Sequence, residues 1–283
     1  MPASISSPPP SPGARGALSF QSLHFEGPDS LAFLQSQLSS DVSALGDAAW
    51  HWSAWLSAKG RVLALGLLYR RQPEHFEWLL PDADASALAP QLQRFVLRRK
   101  VSLRAEHLVL ACGFGTGAAG DRSVLRLSGA PSRWIAPDST HPGTTDPDFG
   151  KAWRQLDYLQ GVPRLDAANA EFTGHMLSLQ RLDALSLSKG CYPGQEIVAR
   201  THYLGQSRRG LACLRLSETA DVKSGAEILA GEQSIGTVLG SVTVASGNYV
   251  QAVVAGMPTE ERANVEGWPA VAVDLLPAPL PEG

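Results

Sequence analysis

The chain has 283 residues, 44% hydrophobic and 18% charged, with a formal net charge of −3. Those proportions describe a water-soluble protein with a real core, and the near-neutral charge excludes general attraction to nucleic acid or anionic membrane. Cys112, Cys191 and Cys213 lie far apart with no Cys-x-x-Cys pair, which argues against a disulfide framework or an autonomous zinc site.

That cysteine usage fits a reducing compartment, and with neither a secretory signal nor a convincing transit peptide in the first residues a cytoplasmic protein is expected. No apolar run reaches bilayer-spanning length, so no membrane partner is expected. The Ser/Pro-rich start, residues 1–16, reads as a disordered leader.

Leu18 to Phe25 alternates as a first strand, and Gly27-Pro28-Asp29 breaks it before a helix carrying Leu31, Leu34 and Leu38. Residues 49–56 and 61–69 form a strand pair around the turn Ser57-Ala58-Lys59-Gly60, with a further strand at 76–80. Asp84 caps a helix with apolar positions Leu88, Leu92, Phe95 and Val96, ending in Arg98-Arg99-Lys100. Leu108 to Ala111, Val124 to Leu127 and Trp134-Ile135 are short strands. The glycine-rich Gly113–Gly120 is a loop rather than a dinucleotide cradle, because no apolar helix follows it.

Trp153, Leu156 and Leu159 recur at helical spacing over 151–159. Met176, Leu179, Leu182 and Leu185 predict a helix over 174–187. It leads into Lys189-Gly-Cys-Tyr-Pro-Gly-Gln-Glu196, where Pro193-Gly194 suits a tight turn and Gly190 permits close approach of the backbone. Lys189 and Arg200 are candidate cations to activate the Cys191 thiol, with Gln195 and Glu196 to orient it. A buried, inert cysteine in a glycine-bracketed turn is the plain alternative. Glu196 to Arg200 is a strand or short helix. Lys189, Arg200, Arg208 and Arg209 outnumber Glu196, a local surplus suited to an anionic tail. From Leu211 onward, strand candidates at 211–216, 226–230, 234–239, 241–245, 248–254 and 270–276 predict a small barrel or sandwich. Cys112 and Cys213 sit in core positions.

The Lys-Gly-Cys-Tyr-x-Gly-Gln-Glu stretch, followed by Val198-Ala-Arg200, resembles the signature of the YgfZ family. Phe33 to Val42, the 49–69 hairpin, and Gly161-Val-Pro163 with Asp166-Ala-Ala-Asn169 are similar to further passages of that family; Ser36 stands where a glycine is usual. The resemblance runs roughly from residue 18 to 276. It implies an α+β fold: a T-protein-like multidomain α/β core around a central cleft, with a small C-terminal β-barrel. The implied units are a folate-binding domain at 17–105 completed by 151–207, a short middle α+β segment at 106–150, helices plus the cysteine loop at 151–207, and the barrel at 208–283.

Functionally, the resemblance implies a tetrahydrofolate-binding (or one-carbon-folate-binding) accessory protein. Its implied partners are iron–sulfur enzymes or cluster carriers, with tRNA reached indirectly through modifying enzymes. Trp153 would stack on the pterin, with Phe20 as a second aromatic, and Arg181, Tyr192 and Arg200 would complete the folate site. Cys191, Lys189, Gln195 and Glu196 would form the reactive group, with no resident metal. The T-protein hairpin carries an acidic pair where this chain has Leu63 and Ala64. A folate-dependent aminomethyltransferase is therefore the second reading, without an obvious acid or base. A direct tRNA-binding module is the third, supported only by local basic charge.

Overall fold

The computed structural model describes residues 13–116, 124–139, 143–165, 171–205, 207–256 and 263–281. The Asp166–Asn169 passage, the first 12 positions of the expected leader, and Gly117–Gly120 lie outside these residues. The leader's expected end is corrected, because the first strand already begins at Arg15.

That strand, β1 (Arg15–Glu26), is the centre of a seven-stranded sheet. Its neighbours come from β2 (Ala49–Leu56), β3 (Val62–Gln72), β4 (His75–Leu80), β5 (Ser102–Phe114), β6 (Leu125–Leu127) and β7 (Arg133–Ala136). The order is β2-β3-β4-β1-β5-β7-β6. β1 pairs antiparallel with β5 along its whole length, from Arg15 opposite Gly113 to Glu26 opposite Ser102.

Alternation along β1 separates two faces. Leu23 and Phe25 enter a back-face core with α1 (Ser30–Gln37) and α2 (Ala85–Gln93), through Phe33, Leu34, Leu88 and Leu92. Phe20 enters a front-face core with Trp52, Leu67, Leu110 and Ile135, covered by α3 (Pro147–Gln160) through Phe149, Trp153 and Leu156. Asp146 caps α3 by accepting from Asp148 N, Pro147 fits the first turn, and Gly161 ends the helix at φ 71°.

The C-terminal part forms a closed barrel of β8 (Gly210–Leu216), β9 (Glu227–Ala230), β10 (Gln233–Val244), β11 (Gly247–Val254), β12 (Ala263–Val265) and β13 (Trp268–Val273). Closure removes the exposed strand edges. The expected strands at 234–239 and 241–245 are one bulged strand, β10, with its register shift between Val238 and Gly240. β12 is too short to show a two-residue period.

Several expectations are corrected. A boundary at 105/106 would cut β5, and β6 and β7 extend the same sheet, so 106–150 is no separate layer. The chain leaves the barrel after β13 and returns to the sheet: Trp52 Nε1 donates to the Pro279 carbonyl (2.7 Å), and Ser128 N donates to that of Leu280 (2.8 Å). Over 174–187 the only helical element is a 3₁₀ turn, Leu179–Leu182, bounded by left-handed Ser178 and Asp183. The three-residue apolar spacing there matches the 3₁₀ period rather than 3.6. α2 stops at Gln93, leaving Phe95 47% exposed and the basic run in turns beyond it. Gly113 lies in β5, where the Trp134 indole fills the space a side chain would need.

Candidate functional site

Pro193 and Gly194 make the tight turn expected of them. Gln195 N donates to the Tyr192 carbonyl (3.2 Å), with Gly194 at φ 79° and ψ 0°. Gly194 also sits against the β2–β3 turn: a methyl group there would lie 2.6 Å from the Ser57 carbonyl oxygen and 2.8 Å from Gly60 Cα. Two glycines therefore let two turns touch. The chain then enters α4 (Gln195–Leu204), so the stretch from Glu196 to Arg200 is helical.

Lys189 is buried, and its ammonium donates to the carbonyls of Leu38 and Ser40 (both 2.7 Å) while lying 5.1 Å from the Tyr192 ring centre. Burial pushes its pKa down to about 8, against the opposing pull of Asp41. Its hydrogen bonds run to the end of α1, so Lys189 anchors the loop there. The link continues through Ser39, whose hydroxyl donates to the Ala184 carbonyl (2.5 Å), and through Ser186 N to the Ser39 carbonyl (2.8 Å). Ser40 bonds His51 Nε2 (3.1 Å); burial, then Lys189, pushes His51 down to about 4 and keeps it neutral.

Tyr192 is likewise buried; its hydroxyl donates to the Ser186 carbonyl (2.9 Å), and burial pushes its pKa up to about 12. Gln195 Nε2 donates to the Lys189 carbonyl (3.1 Å) and closes the loop. Between these anchors Cys191 is exposed, while Cys112 and Cys213 are buried. Burial raises both buried thiols, Cys213 to about 12, so they stay protonated. Glu196 and Arg200 are exposed on α4 beside the loop. The space next to Gly190 is open, so no neighbouring element makes the close approach its small size permits. Arg181 is held by the returning C-terminal segment, donating to the Leu276 carbonyl (2.9 Å).

Trp153 and Phe20 meet elsewhere, in a cavity of about 560 Å³ between sheet and barrel. Leu18, Phe20, Pro81, Lys151, Trp153, Arg154 and Arg164 line one side; Asp221, Ser241, Val242 and Thr243 of the barrel region line the other. Trp153 packs against Phe114 and Phe149 at ring-centre distances of 5.6 and 6.2 Å and is only 5% exposed. The Arg133 guanidinium lies 4.6 Å from its ring centre. Arg133 is itself fixed by Asp157 and Gln160 (both 2.6 Å), and Arg164 by Asp82 and Asp157.

The structure thus joins Trp153 with Phe20, and Cys191 with Lys189, Tyr192 and Gln195. No residue of 186–204 lines the Trp153 cavity. Lys151 and Arg154, on the same helix as Trp153, went unnoticed in the sequence. Their signal was a tryptophan flanked by cations at helical spacing.

No family model matches the chain. It is 30% identical to the tRNA-modifying protein YgfZ of Klebsiella pneumoniae (strain 342), covering 87% of each chain. It is also 30% identical to the YgfZ of Colwellia psychrerythraea over 69% of each, and 29% identical to that of Pectobacterium carotovorum over 89% of this chain and 87% of that one. The chain belongs to the YgfZ family. Among solved structures it is similar to the glycine cleavage system aminomethyltransferase T from Bartonella henselae, with a TM-score of 0.73 and 16% identity over 94% of this chain and 86% of that one. The T-protein-like core and C-terminal barrel implied by the YgfZ motifs are therefore the fold observed. On that frame Leu63 is 36% exposed near the start of β3, while Ala64 is buried in the back-face core, so this YgfZ protein has no carboxylate at either position.

Proposed function

We propose that the protein binds tetrahydrofolate, or a one-carbon derivative, in the cavity between sheet and barrel, and that it supports iron–sulfur enzymes, tRNA-modifying ones included, through Cys191. The observation that carries this reading is the meeting of Trp153 and Phe20 in one cavity with Lys151 and Arg154. Its volume falls within the range of small-molecule sites, and its chemistry is divided as a folate requires. The aromatic and aliphatic wall suits the pterin and benzoyl rings, and the cations suit the glutamate carboxylates. With Trp153 largely covered by its neighbours, only a part of the ring reaches the ligand.

Cys191 acts outward in this reading. Its thiol is exposed on a loop whose Lys189, Tyr192 and Gln195 side chains are fixed by hydrogen bonds, and the remaining cysteines are buried. Iron–sulfur clusters usually take four protein ligands, so one reachable thiol holds iron or sulfur only together with a partner's ligands. This favours an accessory protein meeting client enzymes or cluster carriers in the cytoplasm over a resident cluster protein. No helix among the described residues is long and apolar enough to cross a membrane.

Titration calorimetry with tetrahydrofolate tests the cavity. Trp153→Ala is expected to weaken binding about tenfold, the scale of one lost aromatic contact. An affinity equal to the parent's rejects the assignment. Complementation of a strain lacking the protein tests the thiol: Cys191→Ala is expected to fold and bind folate yet fail to restore iron–sulfur enzyme activity. The aminomethyltransferase reading lacks an acid at Leu63-Ala64, and turnover with an aminomethyl donor would revive it.

A further inference from the structure

The end of β3 farthest from the Cys191 loop carries a polar cluster that the folate and thiol reading does not use. Gly60, before β3, touches Gly194; Gln72, at the strand's other end, pairs with His75. The 11 residues of β3 separate the two places by about 36 Å at ~3.3 Å per residue. We propose that His24, Glu26 and His75 form a binding site for a divalent first-row transition-metal ion of the zinc type, with at least one coordination position open to solvent or a ligand.

The geometry carries this assignment. One potential ligand atom from each of the three residues lies within 4.8 Å of the others. His24 Nδ1 and His75 Nε2 are 3.2 Å apart, and His75 Nε2 is 3.6 Å from a Glu26 carboxylate oxygen. Two nitrogens bound to zinc at about 2.0–2.1 Å with a tetrahedral angle would lie about 3.3 Å apart. The three donors come from paired strands, β1 and β4, with Glu26 directly opposite His75. The ladder therefore sets their spacing.

The surroundings of His24 orient it as a ligand. Its other nitrogen, Nε2, is 3.3 Å from Glu106 and 3.9 Å from fully buried Glu77, and 3.4 Å from Ser22 Oγ. Two carboxylates on that side place the ring proton on Nε2 and leave the Nδ1 lone pair facing His75. A metal-bound histidine backed by a carboxylate shows the same arrangement. Glu77 is held in turn by Ser22 (3.0 Å) and Arg71 (2.5 Å). His75 Nε2 thus faces two acceptors, the His24 lone pair and Glu26, with at most one proton to share; a cation among them satisfies all three. Two imidazoles and one carboxylate favour zinc, copper, nickel or iron over magnesium or calcium.

The test is zinc titration calorimetry on the full-length protein, stripped with EDTA, in a Cys191→Ser background that removes the exposed thiol. One saturable site per chain is expected, weakened by more than about tenfold in His75→Ala and by less in Glu26→Gln. Cobalt in place of zinc is expected to give visible absorption that His75→Ala abolishes. His24 is buried and its replacement risks misfolding, so the less buried His75 is the decisive position, with circular dichroism to confirm the fold. Absence of saturable binding, or equal affinity in His75→Ala, overturns the site and leaves the folate and Cys191 reading untouched.

Discussion

The Cys191 loop and the Trp153 wall are built by opposite means. The loop is set by hydrogen bonds to backbone carbonyls, and its central side chain is left exposed. The wall is set by aromatic packing, and its central side chain is nearly covered. A loop built by the first means can present a reactive atom without burying it, because its neighbours Lys189 and Tyr192 take up the fixed positions. A wall built by the second means gives a ligand a packed aromatic surface, with Arg133 as the charged brace behind it. Only the wall has a buried ion pair to lose.

The largest effect is therefore expected at the wall. Arg133→Met breaks the pair with Asp157, and breaking a buried pair costs on the order of 3 kcal/mol. Asp157 keeps Arg164, which holds the cost toward the low end. Urea unfolding measures it, and folate affinity is expected to fall together with stability. A change below about 1 kcal/mol would mean that the apolar contacts alone hold the wall.

At the loop, Lys189→Met leaves the Leu38 and Ser40 carbonyls without their donor, at a cost of about 2 kcal/mol. The same residue gives a pH signature. Folded Lys189 loses its proton near pH 8, whereas the unfolded chain keeps it to about 10.5. Between those values the unfolded state binds more protons, so stability from this group rises with pH. The stability gap between wild type and Lys189→Met is expected to widen from pH 8 to pH 10. A constant gap would show that Lys189 titrates normally.

A smaller loss, about 1–2 kcal/mol, is expected for Gly194→Ala, because φ 79° disfavours a side chain and the Ser57 carbonyl occupies its space. Smallest of all is Cys191→Ser, within about 0.5 kcal/mol of wild type, since an exposed side chain contributes little to folding. If Cys191→Ser proved as costly as Gly194→Ala, the thiol would be structural and the contrast between loop and wall would fail.

Much of this was legible in the residues. Alternation located β1, β2 and most of the barrel. Pro193-Gly194 named its own turn, because the turn type depends only on those two residues. Trp153 and Phe20 were paired through family resemblance, and the cavity joins them. The anchoring of Lys189 was not legible, because its partners are backbone carbonyls about 150 positions away and carry no residue code. The Arg133–Asp157 pair was hidden for a similar reason: charge in a sequence does not announce burial. The 174–187 segment misled because apolar residues three apart fit both a loose α-helix and a 3₁₀ turn. Phe95 misled because the helix pattern continues past the point where the backbone leaves it.

The return of the chain from the barrel to the sheet bears on biogenesis. Trp52, in the second strand to be synthesised, waits for a carbonyl 227 positions later. The first half can pair its strands while the ribosome is still at work, but its front face is completed only when the last segment emerges. Until then the Trp52 indole lacks that acceptor, and apolar surface of the front face stays open to solvent during synthesis.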